Sequence, residues 1–275
     1  HTHMGIPIKS GHSADTFGSG SRSALHGGVT TILDFTVLES GQTLAESLNT
    51  RIELAGESLC DVGIHVNITR FEPEILAEIP ELIARGFTSF KVFTTYAEAN
   101  MMLTYDQIEA VAKIIAQHHG ILMVHSEDND VITRASDTFN DEKETHPRYH
   151  GLSRPAEAEL VAVRQLGEIS SRTNCTIYVV HLNTAAGLAK AAEYPLLKVE
   201  TCPHYLLLSD KMYEKSDGRM FVSSPPLRTD ADSQALWLGL QNGQIHTLGS
   251  DHCPFCLSDK PMDTPFQNIP NGMGG

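Results

Sequence analysis

The sequence predicts an α/β chain folded as a (β/α)8 TIM barrel, and three observations carry that prediction. Short runs rich in apolar and β-branched residues alternate with longer segments of helical periodicity. The length, 275 residues, suits one such barrel. No G-x-G-x-x-G follows the first strand-like run, so the competing doubly wound sheet lacks its dinucleotide signature.

The strand-like runs are 28–35, 62–69, 88–95, 121–126, 176–182, 197–205 and 247–251. Helical patterns fall between them at 44–59, 73–85, 105–118, 155–171, 185–193 and 233–242. That makes seven strands, and a segment starting at His1, read as the last piece of a strand, supplies the eighth. The polar stretch 128–148 reads as a long loop over the barrel mouth, where binding residues collect. Residues 1–275 are read as one barrel domain, truncated at both ends: the chain opens on His1 and closes on Asn271-Gly272-Met273-Gly274-Gly275.

Composition narrows the function classes. Twenty basic against 34 acidic residues give a formal charge of −14, a sign that disfavours nucleic acid and acidic membrane surfaces. Five scattered cysteines do not form a secreted disulfide framework, which points to a reducing, cytoplasmic setting. No apolar run approaches the ~20 residues that span a bilayer.

Chemistry-bearing side chains collect where the runs end. His1 and His3 stand two apart, so an extended segment projects both imidazoles to one side, where they can hold a metal ion. A surface pair or tag remnant is the plain alternative. His125 closes Ile121-Leu122-Met123-Val124, and His181 closes Ile177-Tyr178-Val179-Val180, equivalent positions on successive strands. Asp251 ends Thr247-Leu248-Gly249-Ser250, offering a carboxylate at the same rim or simply a helix cap. Lys91 lies inside Phe87-Thr88-Ser89-Phe90-Lys91-Val92-Phe93, where burying an ammonium is costly. Desolvation lowers the amine pKa, and the neutral amine can take up CO2 as a carbamate whose two oxygens bridge two cations. A lysine paired with a buried carboxylate is the alternative.

In their setting these residues resemble the cyclic amidohydrolases, and among them the dihydropyrimidinases and D-hydantoinases. The resemblance covers the whole chain through His1-Thr2-His3, Gly27-Gly28-Val29-Thr30-Thr31, Ser89-Phe90-Lys91-Val92-Phe93 with Tyr96 following, and Val124-His125-Ser126-Glu127. It continues through Val180-His181-Leu182, Glu200-Thr201-Cys202-Pro203, Ser224-Pro225-Pro226-Leu227-Arg228 and Gly249-Ser250-Asp251-His252-Cys253-Pro254-Phe255. The resemblance implies two divalent metal ions, zinc in most such enzymes. His1, His3 and Asp251 would bind the first, His125 and His181 the second, and Lys91, carboxylated by CO2, would bridge both. It further implies a metal-bridged hydroxide that opens a cyclic amide or imide, with Asp251 as general acid and base. Tyr96 would donate to the developing oxyanion, and Ser224 and Asn271 would hold the imide edge of the substrate. On the residues alone, Tyr96 is a packing aromatic, Ser224-Pro225-Pro226 a stiff turn and Asn271-Gly272 a tight one. The family also implies a homo-oligomer and a small β-sandwich built from both chain ends, expected to be missing here.

Rivals are weighed on single positions. Dihydroorotases place an Arg where Gly5 stands, so an acidic ring is disfavoured, while Pro203-His204-Tyr205 keeps allantoinase as the runner-up. A non-catalytic dihydropyrimidinase-related scaffold would have lost metal ligands that are all present here. Ser224 and Asn271, suited to an imide, count against a phosphotriesterase-like hydrolase. Cys253-Pro254-Phe255-Cys256 lacks a second C-x-x-C and reads as part of the post-aspartate motif. His118-His119 reads as a helix end.

Overall fold

A computed structural model describes residues 1–8, 11–139 and 145–274. Strands β1 (Pro7–Ile8) and β2 (Gly11–His12) form a small antiparallel hairpin. Helix α1 (Phe17–His26) leads into a seven-stranded sheet. Its strands are β3 (Thr31–Phe35), β4 (Asp61–Asn67), β5 (Ser89–Phe93), β6 (Ile121–His125), β7 (Thr176–Val179), β8 (Leu197–Thr201) and β9 (Thr247–Leu248). They lie side by side in chain order, every neighbouring pair parallel. All seven expected strands are therefore present. The crossovers carry α2 (Leu44–Ala55), α3 (Pro73–Ala84), α4 (Tyr105–Gln117), α5 (Asn129–Ser136), α6 (Arg148–Ser153), α7 (Ala156–Thr173), α8 (Ala185–Ala191), α9 (Pro203–Leu207) and α10 (Asp230–Gln241). Thr43, Thr104 and Thr229 start α2, α4 and α10 with reciprocal capping boxes, each worth about 1 kcal/mol.

Two expectations need correction. The sixth run stops at Thr201, and 203–207 is helix α9, because Pro203 sits in its first turn, where a missing N–H costs nothing. The stretch 128–148 is not a plain loop: Asp128 accepts a 3.0 Å bond from Val131 N and starts α5, and α6 begins at Arg148. Residues 140–144 of that stretch lie outside the described residues. Helix α1 also escaped the sequence reading, since Gly18, Ser19, Gly20 and Ser21 have poor helix propensity; Thr16 and Ser19 offset this with a capping box.

The segment at His1 lies between the two edges of the sheet. Thr2 makes parallel bridges both to Asp34 in β3 and to His252 beyond β9. Thr2 N donates to Leu33 O at 2.7 Å, and His3 N to His252 O at 2.8 Å. The anchor is the buried Asp34, which pairs with the buried Arg51 of α2 and accepts bonds from Thr2 Oγ1 at 2.8 Å and Met4 N at 2.9 Å. Asp34→Ala strands a buried guanidinium and is expected to lower stability by about 3–5 kcal/mol, read from denaturant unfolding. A loss below 1 kcal/mol would show that Asp34 does not anchor this segment.

Strand alternation decides which side chains reach the interior. In β5, Phe90 and Val92 join the main apolar core, built from the strands and the helices over them. Lys91 and Phe93 therefore face the other way. In β6, Leu122 and Val124 join the same core, leaving Met123 and His125 opposite. Register places Lys91 beside Asn67 on one side and Met123 on the other. A second small cluster, Phe35, Met123 and Val180, fills the inside of the curl below the strand ends.

Candidate functional site

The inward side chains converge where the parallel strands end. His1 Nε2 and His3 Nε2 each lie 2.9 Å from Asp251 Oδ1, and their ligand atoms fall within 4.8 Å of one another. The His1 and His181 rings are 6.0 Å apart, and the His181 and His125 rings 4.6 Å. Lys91, 2% exposed, holds its Nζ 5.0 Å from the Phe35 ring and 4.9 Å from the Phe93 ring. His3, Lys91, His125, His181 and Asp251 line a common cavity of about 1230 Å3 with Tyr96, Ser224 and Asn271. The structure thus places every sequence-predicted site residue except His1 on one cavity wall, and His1 sits directly behind it against Asp251.

Electrostatics fit a cation here. Burial lowers the His1 imidazole, but Glu200 and Asp251 overcome it and raise the pKa to about 9. Burial likewise raises Asp251, yet His1 and His3 hold its carboxyl well below the usual range. A protonated ring between carboxylates is the arrangement a divalent ion would replace. Burial lowers His125 and, further, His181, leaving both neutral with free lone pairs. His181 Nδ1 is buried without a hydrogen-bond partner among the described residues. Burial also brings Lys91 down to about 8 against the raising effect of Asp251 and Glu200, so a neutral amine is accessible near physiological pH. The donor set, four imidazoles, a carboxylate and an amine, suits a transition-metal ion.

Backbone strain shapes the same cavity lining. Tyr96, His181 and Asp251 adopt φ of 68°, 42° and 49°, left-handed values that non-glycine residues rarely take and that cluster at functional sites. Tyr96 stands 5.1 Å from the His125 ring. Ser224 precedes a cis proline, and its buried hydroxyl lies within hydrogen-bond reach of the Tyr96 side chain. Next to it, Ser223 O accepts a 2.7 Å bond from the buried His150 Nε2. Burial lowers the His150 pKa from 6.5 to about 4. The unfolded chain binds this proton first, so the contribution of His150 to stability is present above about pH 6.5. It is lost as pH falls toward 4, by up to about 3 kcal/mol. His150→Gln should flatten the acid limb of the unfolding profile between those values; an unchanged slope would contradict the assignment.

Sequence reasoning missed the carboxylates behind the candidate metal-binding imidazoles. Glu200 Oε1 lies 2.9 Å from His1 Nδ1 and accepts a 3.2 Å bond from His181 N. Glu127 Oε2 lies 2.8 Å from His125 Nε2 and is held by Arg154. The available signal was an acidic residue inside or just beyond an otherwise apolar strand. Cys253 lines the cavity, Cys256 is exposed, and all five cysteines are unpaired.

Against known proteins, the chain is 36% identical to a D-hydantoinase of Geobacillus stearothermophilus over 99% of its own length and 60% of the relative. It is 34% identical to a D-phenylhydantoinase of Escherichia coli over 100% of its length and 61% of that protein. A dihydropyrimidinase from Brevibacillus agri superposes with a TM-score of 0.95 at 32% identity, covering 100% of this chain and 61% of the other. An L-hydantoinase from Arthrobacter aurescens, 22% identical with a TM-score of 0.82 over 93% of this chain and 58% of that one, shares the fold. No family model matches. The chain spans about 60% of the length of the curated relatives it matches.

Proposed function

Because this chain belongs to the dihydropyrimidinase and D-hydantoinase family, we propose that it is a metal-dependent cyclic amidohydrolase. It would hydrolyse a C–N bond of a dihydropyrimidine or a 5-substituted hydantoin ring. The observation that carries this reading is the convergence of His1, His3, Lys91, His125, His181 and Asp251 at one end of a parallel sheet, beside Tyr96, Ser224 and Asn271. The curled sheet is read as a (β/α)8 barrel with the His1–His3 segment as its eighth strand and residues 1–275 as one domain.

His1, His3 and Asp251 would hold one divalent ion, zinc in this reading, and His125 and His181 a second, with carboxylated Lys91 shared between them. Bound there, the ions supply a water activated near neutral pH and polarise the ring carbonyl. Asp251 takes the proton of the attacking water and returns it to the ring nitrogen as the C–N bond breaks. Tyr96 donates its hydroxyl proton in a hydrogen bond to the oxyanion that develops on the carbonyl. Burial raises the Tyr96 pKa although Arg154 opposes it, so the phenol stays protonated and able to donate. Ser224 and Asn271 orient the imide edge. A homo-oligomer in the cytoplasm completes the proposal, the unpaired cysteines supporting a reducing compartment.

The test is a panel of dihydrouracil, 5-substituted hydantoins, allantoin and dihydroorotate assayed at one metal loading. Hydantoins or dihydrouracil should lead, and activity should track bound metal up to two ions per chain. A preference for allantoin would overturn the substrate assignment, and a chain that purifies without metal and opens no ring would overturn the reaction.

A further inference from the structure

A buried ion pair between Arg154 and Glu127 touches both His125 and Tyr96. Arg154 Nη2 donates to Glu127 Oε2 at 2.6 Å, and its Nε reaches the same carboxylate at 3.1 and 3.3 Å. Both side chains are buried, Glu127 completely. Held this way the carboxylate can only accept. His125 Nε2, 2.8 Å from Glu127 Oε2, must therefore carry the proton, which leaves Nδ1 as the lone-pair atom of a ring that lines the cavity. On its other side, the Arg154 guanidinium lies over the Tyr96 ring, 5.1 Å from the centroid, a cation–π contact in a desolvated setting. Thr94 Oγ1 ties the backbone together, its single hydroxyl proton lying between His125 O and Glu127 O, each 2.8 Å from the oxygen. One carboxylate thus sets the tautomer of His125, and the guanidinium that neutralises it supports Tyr96.

We propose that Glu127 and Arg154 form a positioning unit with two separable outputs. Glu127 holds the His125 imidazole in its metal-binding tautomer, and Arg154 holds the Tyr96 ring where its hydroxyl meets the oxyanion. The inference rests on the proposed metal-dependent hydrolysis and assigns roles to residues that need not touch metal or substrate.

Cobalt(II) titrated into the metal-free full chain, followed by its visible absorption, reads the first output. Glu127→Gln removes the charge and replaces an acceptor-only carboxylate with an amide that can also donate, so the His125 tautomer is no longer enforced and one of the two ions should bind about 10–100-fold more weakly while the other is unchanged. Arg154→Lys preserves the charge opposite Glu127 but loses the planar fork over the ring. It should retain cobalt affinity within about 3-fold and lower kcat about 10-fold at nearly constant KM, as expected when only a transition-state contact is disturbed. Near-UV circular dichroism confirms folding, and Glu127→Asp, which retains the charge with a shorter reach, takes the place of a Gln variant that does not fold. Wild-type cobalt affinity in the Glu127 variant, or unchanged kcat in Arg154→Lys, overturns the proposal. A parent chain that binds no cobalt overturns the metal-dependent function instead, so the two failures are distinguishable.

Discussion

Lys91→Ala is expected to lower the proposed ring-opening rate by about 10^3-fold or more, beyond the 10^2–10^3 typical of losing one oxyanion donor. The expectation follows from where the side chain lies. Alternation along β5 turns Lys91 away from the helix-side core and into the curl, among Phe35, Phe93 and Met123. It makes no hydrogen bond or ion pair there among the described residues, and burial lowers its pKa to about 8. A buried cation without a partner is costly, and converting it into an anion shared by two cations turns that cost into binding. Alanine would remove the proposed bridge, so bound metal should fall together with activity. Added acetate or propionate should restore part of both, because a small carboxylate can enter the space the side chain leaves. Measured together, metal content and rate separate this from simple misfolding, which no carboxylate would rescue. Full activity in the alanine variant would remove the carbamate from the mechanism.

The residues that were legible in the sequence share a physical reason. His125 and Lys91 stand out because they interrupt apolar β-rich runs, and a polar group in a strand that is covered on its outer side needs an inward partner. The parallel order was legible because helical periodicities separate the strands, and right-handed crossovers leave few other arrangements. Asp34 was not legible. Its role depends on Arg51, 17 residues on, and on the N-terminal segment it holds, a contact that exists only once the sheet closes around the His1–His3 segment. Glu127 and Glu200 sat in plain view within motifs, yet their function lies in a distance to an imidazole that no spacing encodes. Helices α1 and α5 were hidden by glycine, serine and polar residues, because a capping side chain can start a helix that propensity argues against. Local pattern therefore revealed the frame and the candidate metal-binding groups, while the carboxylates that hold their imidazoles became visible only in three dimensions.

Asp251→Asn is expected to have the larger effect of the two, about 10^4-fold on kcat, the upper end of what general acid and base catalysis contributes. The substitution keeps the shape, so its consequences are electrostatic. Asp251 holds His1 and His3 at 2.9 Å from a single oxygen and occupies a left-handed conformation, φ 49°, that asparagine tolerates well. Structure should survive while a negative charge is lost from the metal side and a proton acceptor from the substrate side. The metal-free chain offers an independent readout. Burial lowers the His1 pKa, but Glu200 and Asp251 raise it to about 9, so its protonation stabilises the fold fully below about pH 6.5, and that contribution is lost as pH rises through 9. With Asp251 neutral, one of the two raising charges is gone, so the loss should still begin near pH 6.5 but end at lower pH and be smaller. The variant should therefore show both a collapsed kcat at saturating metal and a shorter alkaline decline in thermal stability without metal. If kcat stays within 10-fold of the parent at full metal loading, the proton passes through another group, and the buried Glu200 behind His1 becomes the residue to examine.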